Sequence, residues 1–112
     1  MAASSTNTLV LSIVASAAIT QFRAVNAAGA VPAAAANSIG PAMNGAASGE
    51  AVPVVALGTA IGEAGAAITA GSLLETNASG QYITRSSGAI VGRALTAAGA
   101  AGDQIEFLII PN

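Results

Sequence analysis

The clearest signal of secondary structure is Gly-Asp-Gln-Ile-Glu-Phe-Leu-Ile-Ile, residues 102–110. Its first two residues favour a turn. The following residues alternate, so that Ile105, Phe107 and Ile109 fall on one face of an extended chain. This period of two, together with the β-branched and aromatic side chains, predicts a strand over residues 104–110 with that face turned inward.

Short apolar runs separated by turn residues fill most of the remaining chain. They are rich in Ile and Val, and most are too short for helices. Short strands with frequent turns predict an all-β fold, a small sandwich or barrel. The runs are Val52–Leu57, Ile68–Leu74, Gln81–Arg85 and Ala89–Leu95, and the turn signals are Asn44-Gly45, Ser79-Gly80, Ser86-Ser87-Gly88 and Gly99–Asp103.

Two local features refine this prediction. Tyr82–Arg85 and Ala89–Val91, joined by Ser86–Gly88, are expected to form a hairpin. Alanine favours helices, but Gly and Pro interrupt the alanine-rich stretches and no period of 3.6 persists. The sequence therefore predicts at most one helical turn, at Pro32–Asn37.

The apolar run Leu9–Ile19 admits three interpretations. As a strand it places Leu9, Leu11 and Ile13 on one face, which is the interpretation we favour. A secretory signal would need basic residues before the run, and a membrane-spanning helix would need a longer run. Residues 1–8 are small and uncharged and are predicted to form a flexible arm.

Charge is scarce, with three arginines, no lysine and five acidic residues. Nucleic-acid binding requires clustered basic residues that neutralise phosphates, and these arginines are scattered along the chain. The sequence therefore predicts that the protein does not bind nucleic acid. The composition also predicts no membrane insertion, since Pro and Asn interrupt the uncharged segment that follows the first apolar run.

Candidate catalytic and metal-binding residues are few. The chain has neither cysteine nor histidine, which removes thiolate and imidazole ligands and most nucleophile–base pairs. Two carboxylates, Asp103 and Glu106, lie close in sequence, but a turn and a strand are expected to hold them as solvated surface charges. We therefore predict no enzyme, no cofactor and no metal, with a carboxylate enzyme as a remote alternative.

The core is expected to be thin, because the chain is rich in alanine and glycine and has only three aromatic residues. Burying alanine removes little apolar area from water. A marginal monomer of this kind gains stability by binding a partner or further copies of itself. A homo-oligomer is therefore expected.

The chain also repeats itself. Ala17–Thr20 recurs as Ala66–Thr69, and residues 49–52 resemble residues 102–105. These matches align residues 17–57 with residues 66–110 and predict two similar β units that share one core. Single matches of alanine or glycine arise easily by chance in this chain, so the evidence for the repeat is the order in which the matches occur.

The second half resembles the capsid cement, or head-decoration, proteins of tailed bacteriophages. The resemblance rests on three motifs in order, which are Ala-Ile-Thr-Ala-Gly-Ser-Leu-Leu at 67–74, Ile-Val-Gly-Arg-Ala-Leu at 90–95 and Ala-Ala-Gly-Asp-Gln-Ile-Glu-Phe-Leu-Ile at 100–109. The first half departs from the pattern, with Phe22 in the place of Gly71 and Pro53 within its last strand.

That resemblance implies a single capsid-decoration domain over residues 1–112. It implies a structural virion protein that binds the outer capsid surface and clamps adjacent major capsid protein subunits, usually as an oligomer and most often as a homotrimer. The contact residues we predict are Thr8, Leu9, Leu11 and Ile13 in the N-terminal strand. The alternative is a β-rich adhesive or binding module on a virion or cell surface.

Three glycines and one aspartate are predicted to have structural roles. Gly71 is expected at a turn with positive φ or at a close backbone approach. Gly92 within a strand indicates a bulge or tight packing. Gly102 and Asp103 are expected to form the turn that leads into the last strand.

Overall fold

The computed structural model describes residues 4–112. This range contains eight strands. No helix occurs within this range. The predicted all-β fold is confirmed. The strands are β1 Asn7–Val14, β2 Ala24–Val25, β3 Gly40–Pro41, β4 Ala51–Glu63, β5 Leu73–Thr76, β6 Tyr82–Thr84, β7 Gly92–Ala94 and β8 Gln104–Ile109.

The long strand β4 organises the molecule. It pairs with β1 along its first part and with β8 along its second part, both antiparallel. The six-stranded sheet has the order β1-β4-β8-β7-β5-β6, and β2 pairs with β3 in a separate ribbon. A parallel bridge between Ala64 and Tyr82 joins the end of β4 to β6, which closes the second half into a small barrel-like ring.

Pro53 lies inside β4, although the sequence predicts that it interrupts the strand. It pairs with Ser12 of β1, and its carbonyl accepts a hydrogen bond from the Met43 N–H on the opposite side. The backbone of Pro53 therefore faces away from β1. Its missing N–H removes nothing from the β1–β4 ladder, which is the condition under which a strand tolerates proline.

Two cores, rather than the single shared core expected from the sequence, hold the molecule together. The first contains Val52 and Val54, and the second contains Val55 and most buried residues of the second half. A shift of register between β1 and β4 lies beside these valines. Val54 and Val55 themselves pair in regular register with Leu11 and Val10, so the ordinary alternation of a strand turns their side chains toward different cores.

The second core is built on one aromatic pair. The rings of Tyr82 and Phe107 lie 4.5 Å apart between centroids. Glycines make room for them, since a Cβ on Gly62 would lie 2.8 Å from both rings and a Cβ on Gly92 would lie 2.5 Å from Phe107. Ile105, Phe107 and Ile109 are buried, so the predicted inward face of the last strand is confirmed.

Several local predictions need correction. The N-terminal strand ends at Val14 rather than at Ile19, and Ile19 instead forms an isolated bridge with Ala46. The hairpin of 82–85 with 89–91 is wrong, because β6 pairs with β5 and β7 pairs with β5 and β8. In place of a helical turn, the 32–37 segment contains a tight turn in which Ala35 has a φ of 63°.

The N-terminal arm was predicted over residues 1–8, of which 1–3 lie outside the described residues. Strand β1 already includes Asn7 and Thr8. Before it, Thr6 exchanges hydrogen bonds with Thr59, donating its N–H to the hydroxyl and accepting from the backbone N–H. The Ser4 hydroxyl contacts Glu106 at 3.3 Å. Residues 4–8 therefore lie along β4 and β8.

Equivalent hydrogen bonds recur in the two halves. The side-chain oxygen of Asn26 accepts from the N–H groups of Ala28 and Ala30, and that of Asn77 accepts from Ser79 and Gln81. The reciprocal bridge of Ile19 with Ala46 matches that of Ile68 with Ala98. These pairs support the predicted repeat of 17–57 and 66–110, which stays a prediction.

Candidate functional site

Strand β1 is the most exposed apolar element of the described chain. Leu9, Val10 and Leu11 are about two-fifths exposed, and Val14 is 62% exposed. Because β1 is the terminal strand of the six-stranded sheet, one of its edges carries no neighbouring strand from residues 4–112. An exposed, uncharged, apolar edge strand is a feature that soluble proteins normally suppress with charge or proline.

A shallow groove of about 280 Å³ runs along one face of this strand. Leu57, which is 39% exposed, continues the apolar surface of Leu9 and Leu11. None of the residues that line this groove has a charged side chain. Its lining residues are Leu9, Leu11, Ser38, Ile39, Ala56, Leu57, Pro111 and Asn112.

The predicted contact residues lie together on β1 but differ in exposure. Thr8, Leu9 and Leu11 are exposed, whereas Ile13 is half-buried and packs against the first core. Sequence reasoning did not single out Leu57, which lies beside Leu9 and Leu11, or Val10 and Val14, which are exposed on the opposite face of β1. Leu57 ends a predicted strand and precedes a glycine, but nothing in the sequence indicates which face it occupies.

The turn residues take the following positions. Gly71 and Gly102 have φ values of 91° and 92° with open space where a Cβ would lie. Gly92 packs its backbone against Phe107, and the Asp103 carboxylate accepts hydrogen bonds from the N–H groups of Gly99 and Ala100. These contacts stabilise turns and packing, and they involve no exposed surface of β1.

The charged residues are mostly bound to neighbours within the chain. Arg23 pairs with Glu63 at 3.0 Å, Arg85 donates to the Gly88 carbonyl, and Arg93 donates to the Gly71 carbonyl. Residues 4–112 contain no group of three or more acidic, histidine or cysteine side chains arranged to hold a metal ion. No helix in this range is long and apolar enough to cross a membrane.

Glu75 is a buried carboxylate that sequence reasoning did not single out. Its Oε1 accepts hydrogen bonds from the backbone N–H groups of Ser86, Ser87 and Gly88. These bonds, foremost those from Ser86 and Gly88, hold the pKa of Glu75 below its ordinary value. The carboxylate therefore fixes the 85–88 loop.

The geometry defines a class, a small all-β protein whose most distinctive surface is an apolar strand edge suited to macromolecular contact. Comparison with known proteins identifies the family. A family model described as "Phage cement protein" matches residues 3–109, so the chain belongs to the phage cement protein family. It is therefore a structural protein associated with the capsid of a phage virion.

A solved structure has the same fold. The N base of the head fiber gp8.5 of bacteriophage phi29 superimposes with a TM-score of 0.75. It shares 18% sequence identity, and the alignment covers 91% of this chain and 93% of that chain. At this identity the likeness concerns the fold alone. No curated protein is significantly similar to the chain.

Proposed function

We propose that the protein binds the outer surface of a phage capsid and clamps adjacent major capsid protein subunits. The observation that carries the proposal is the apolar, uncharged surface formed by β1 and Leu57. Leu9, Leu11 and Leu57 each leave about two-fifths of their surface in water, which is a cost that a docked partner removes. Family membership supports the capsid as the structure that provides this partner.

The contact in this proposal uses Thr8, Leu9, Leu11 and Ile13, with the groove that they border. Ile13 lies beneath the contact surface, where it packs on the first core and supports the exposed side chains of β1. The contact is dominated by apolar area and backbone hydrogen bonds, because no charged side chain lies in residues 1–22. The protein functions as a homo-oligomer, and the family resemblance favours a trimer.

The test is add-back binding to capsid shells that lack the protein. The double variant Leu9→Ser/Leu11→Ser removes apolar contact from the groove, and Leu95→Ser/Leu108→Ser is the matched control, since those leucines are exposed elsewhere. Because two-fifths of each leucine remains to be buried, each is expected to contribute about 0.6–1.2 kcal/mol, or roughly threefold to eightfold in affinity. Equal occupancy by both variants contradicts the proposed contact.

Clamping has its own readout. A protein that binds only the assembled shell stabilises that shell by mass action, so decorated capsids should melt at a higher temperature than bare capsids. Binding to isolated coat subunits with the same affinity as to shells would contradict clamping. Failure to bind any capsid would favour the alternative, an adhesive module.

A further inference from the structure

The outer edge of β1 offers unpaired backbone groups as well as apolar side chains. The Ala15 N–H donates to the Glu50 carbonyl, so within the regular register from Val10 to Val14 the residues Leu11 and Ile13 direct their backbone groups toward β4. By alternation, Val10 and Ser12 direct theirs to the opposite edge, where the sheet ends. This edge is a template for one further strand.

We infer that the outer edge of β1 pairs with the same edge of a second copy of this chain, antiparallel and about a two-fold axis at Val10. The sequence around that axis is self-complementary, since Thr8-Leu9-Val10-Leu11-Ser12 is hydroxyl–Leu–Val–Leu–hydroxyl in both directions. In this register Val10 meets Val10, Leu9 meets Leu11, and Thr8 meets Ser12. A two-fold contact requires such a match of a surface with itself.

Two further observations favour a second copy as the occupant. A two-fold axis brings like residues together, and residues 1–22 carry no charged side chain that would repel its own copy. Gly29 packs against the Val14 carbonyl and accepts a hydrogen bond from the Ser16 N–H, which closes the edge beyond Val14. That contact excludes an axis at Ser12, because Val14 would then need a partner.

The size of the contact sets its strength. One strand edge buries less than the roughly 800 Å² per partner of a stable complex, so pairing is expected to be weak in dilute solution. On a capsid the copies are held close together, and the same contact gains from the high effective concentration. A two-fold contact does not close a three-fold ring, so in a trimeric protein it links copies that belong to neighbouring trimers.

A cysteine cross-link tests the register, because the natural chain contains no cysteine. Opposed residues of a hydrogen-bonded antiparallel pair have Cα atoms about 5.5 Å apart, within disulfide range. Val10→Cys should therefore give a covalent dimer under mild oxidation of the concentrated free protein. Val14→Cys is the control, since it is more exposed but would lie roughly 27 Å from its counterpart.

A second measurement addresses the association itself. Sedimentation of the free protein should show a concentration-dependent step that Val10→Lys weakens at least tenfold and Val14→Lys leaves largely unchanged. Equal cross-linking at the two cysteine positions, or equal sedimentation of the two lysine variants, would overturn the inference. Both readouts use the free protein, so they are independent of whether it binds a capsid.

Discussion

Phe22 adopts a left-handed backbone conformation, with a φ of 67°, which is costly for a bulky side chain. In the predicted repeat the matching position is Gly71, with a φ of 91°. Phe22 is only half-buried, and it borders a cleft together with Met43 and Ile61. The strain therefore accompanies an apolar side chain near the surface, a combination found at contact sites.

The strain predicts an unusual order of stability for two variants. Phe22→Ala and Phe22→Gly both remove the ring, but only glycine also relieves the left-handed conformation. The glycine variant should be more stable than the alanine variant by about 1 kcal/mol, after allowing for the greater freedom of glycine when unfolded. Urea unfolding of the two proteins measures the difference.

Ala101 provides the control for this comparison. It lies in an exposed turn and is not among the residues with positive φ. There, the protein with alanine should be at least as stable as Ala101→Gly. An alanine variant at position 22 that matches or exceeds the glycine variant would show that Phe22 is unstrained.

Phe107 is the main test of the second core. It is 1% exposed and packs on Tyr82. Gly62 and Gly92 lie so close to its ring that neither position has room for a Cβ. Phe107→Ala should lower the free energy of unfolding by about 3–5 kcal/mol. Its neighbour Leu108 is 42% exposed on the opposite face, so Leu108→Ala should cost less than about 1 kcal/mol. Similar losses at both positions would contradict the register of β8.

At the scale of elements, Glu75 makes the 85–88 loop sensitive to acid. Its pKa is lower in the folded protein than in the unfolded chain, so its contribution to stability is complete above the unfolded value of about 4.3 and is lost as pH falls through the folded value. Glu75→Gln should remove this part of the acid dependence, and protease sensitivity of the loop should become independent of pH in that range.

The matched control is Glu50→Gln. Glu50 also accepts a backbone hydrogen bond, from the Ala47 N–H, but it lies in an exposed turn away from the 85–88 loop. That variant should keep the acid-induced opening of the loop. If Glu75→Gln retains the wild-type pH profile of cleavage, the carboxylate does not hold the loop.

Sequence periodicity predicted the elements whose environment is regular. Strand β8 alternates between core and solvent, and its inward face follows directly from Ile105, Phe107 and Ile109. Strand β4 is only partly predicted by the sequence. It changes partner from β1 to β8, and two successive residues, Val54 and Val55, are both buried, so its pattern of burial does not alternate regularly. Residue spacing carries no information about that change of partner.

Pairing between strands was the least predictable feature. Sequence proximity suggested a hairpin of β6 with the segment that follows it, yet β5 lies between β6 and β7 in the sheet. The 85–88 loop is tied to Glu75 instead, by a contact between residues more than ten positions apart. The sequence predicted that β1 provides the contact surface. It did not predict that Leu57 and Ile39 border that surface, because only the fold brings them next to β1.

At the scale of the whole molecule, charge is rare, and the three arginines are held by contacts within the chain. Arg23 is paired with Glu63, and Arg85 and Arg93 donate to backbone carbonyls. The apolar surface of β1 and Leu57 lies in uncharged sequence, since Glu50 and Glu63 are the acidic residues nearest to it along β4. A partner held by this surface is therefore held through buried area, shape and backbone hydrogen bonds.

The salt dependence of binding to capsid shells that lack the protein measures whether the contact is apolar or ionic. Salt shortens the Debye length from about 10 Å at 0.1 M to about 3 Å at 1 M, which weakens exposed ion pairs and leaves apolar contacts in place. Occupancy is predicted to be nearly the same at both concentrations. Release of the protein at about 0.3 M salt would contradict an apolar contact and would assign the contact to the arginines.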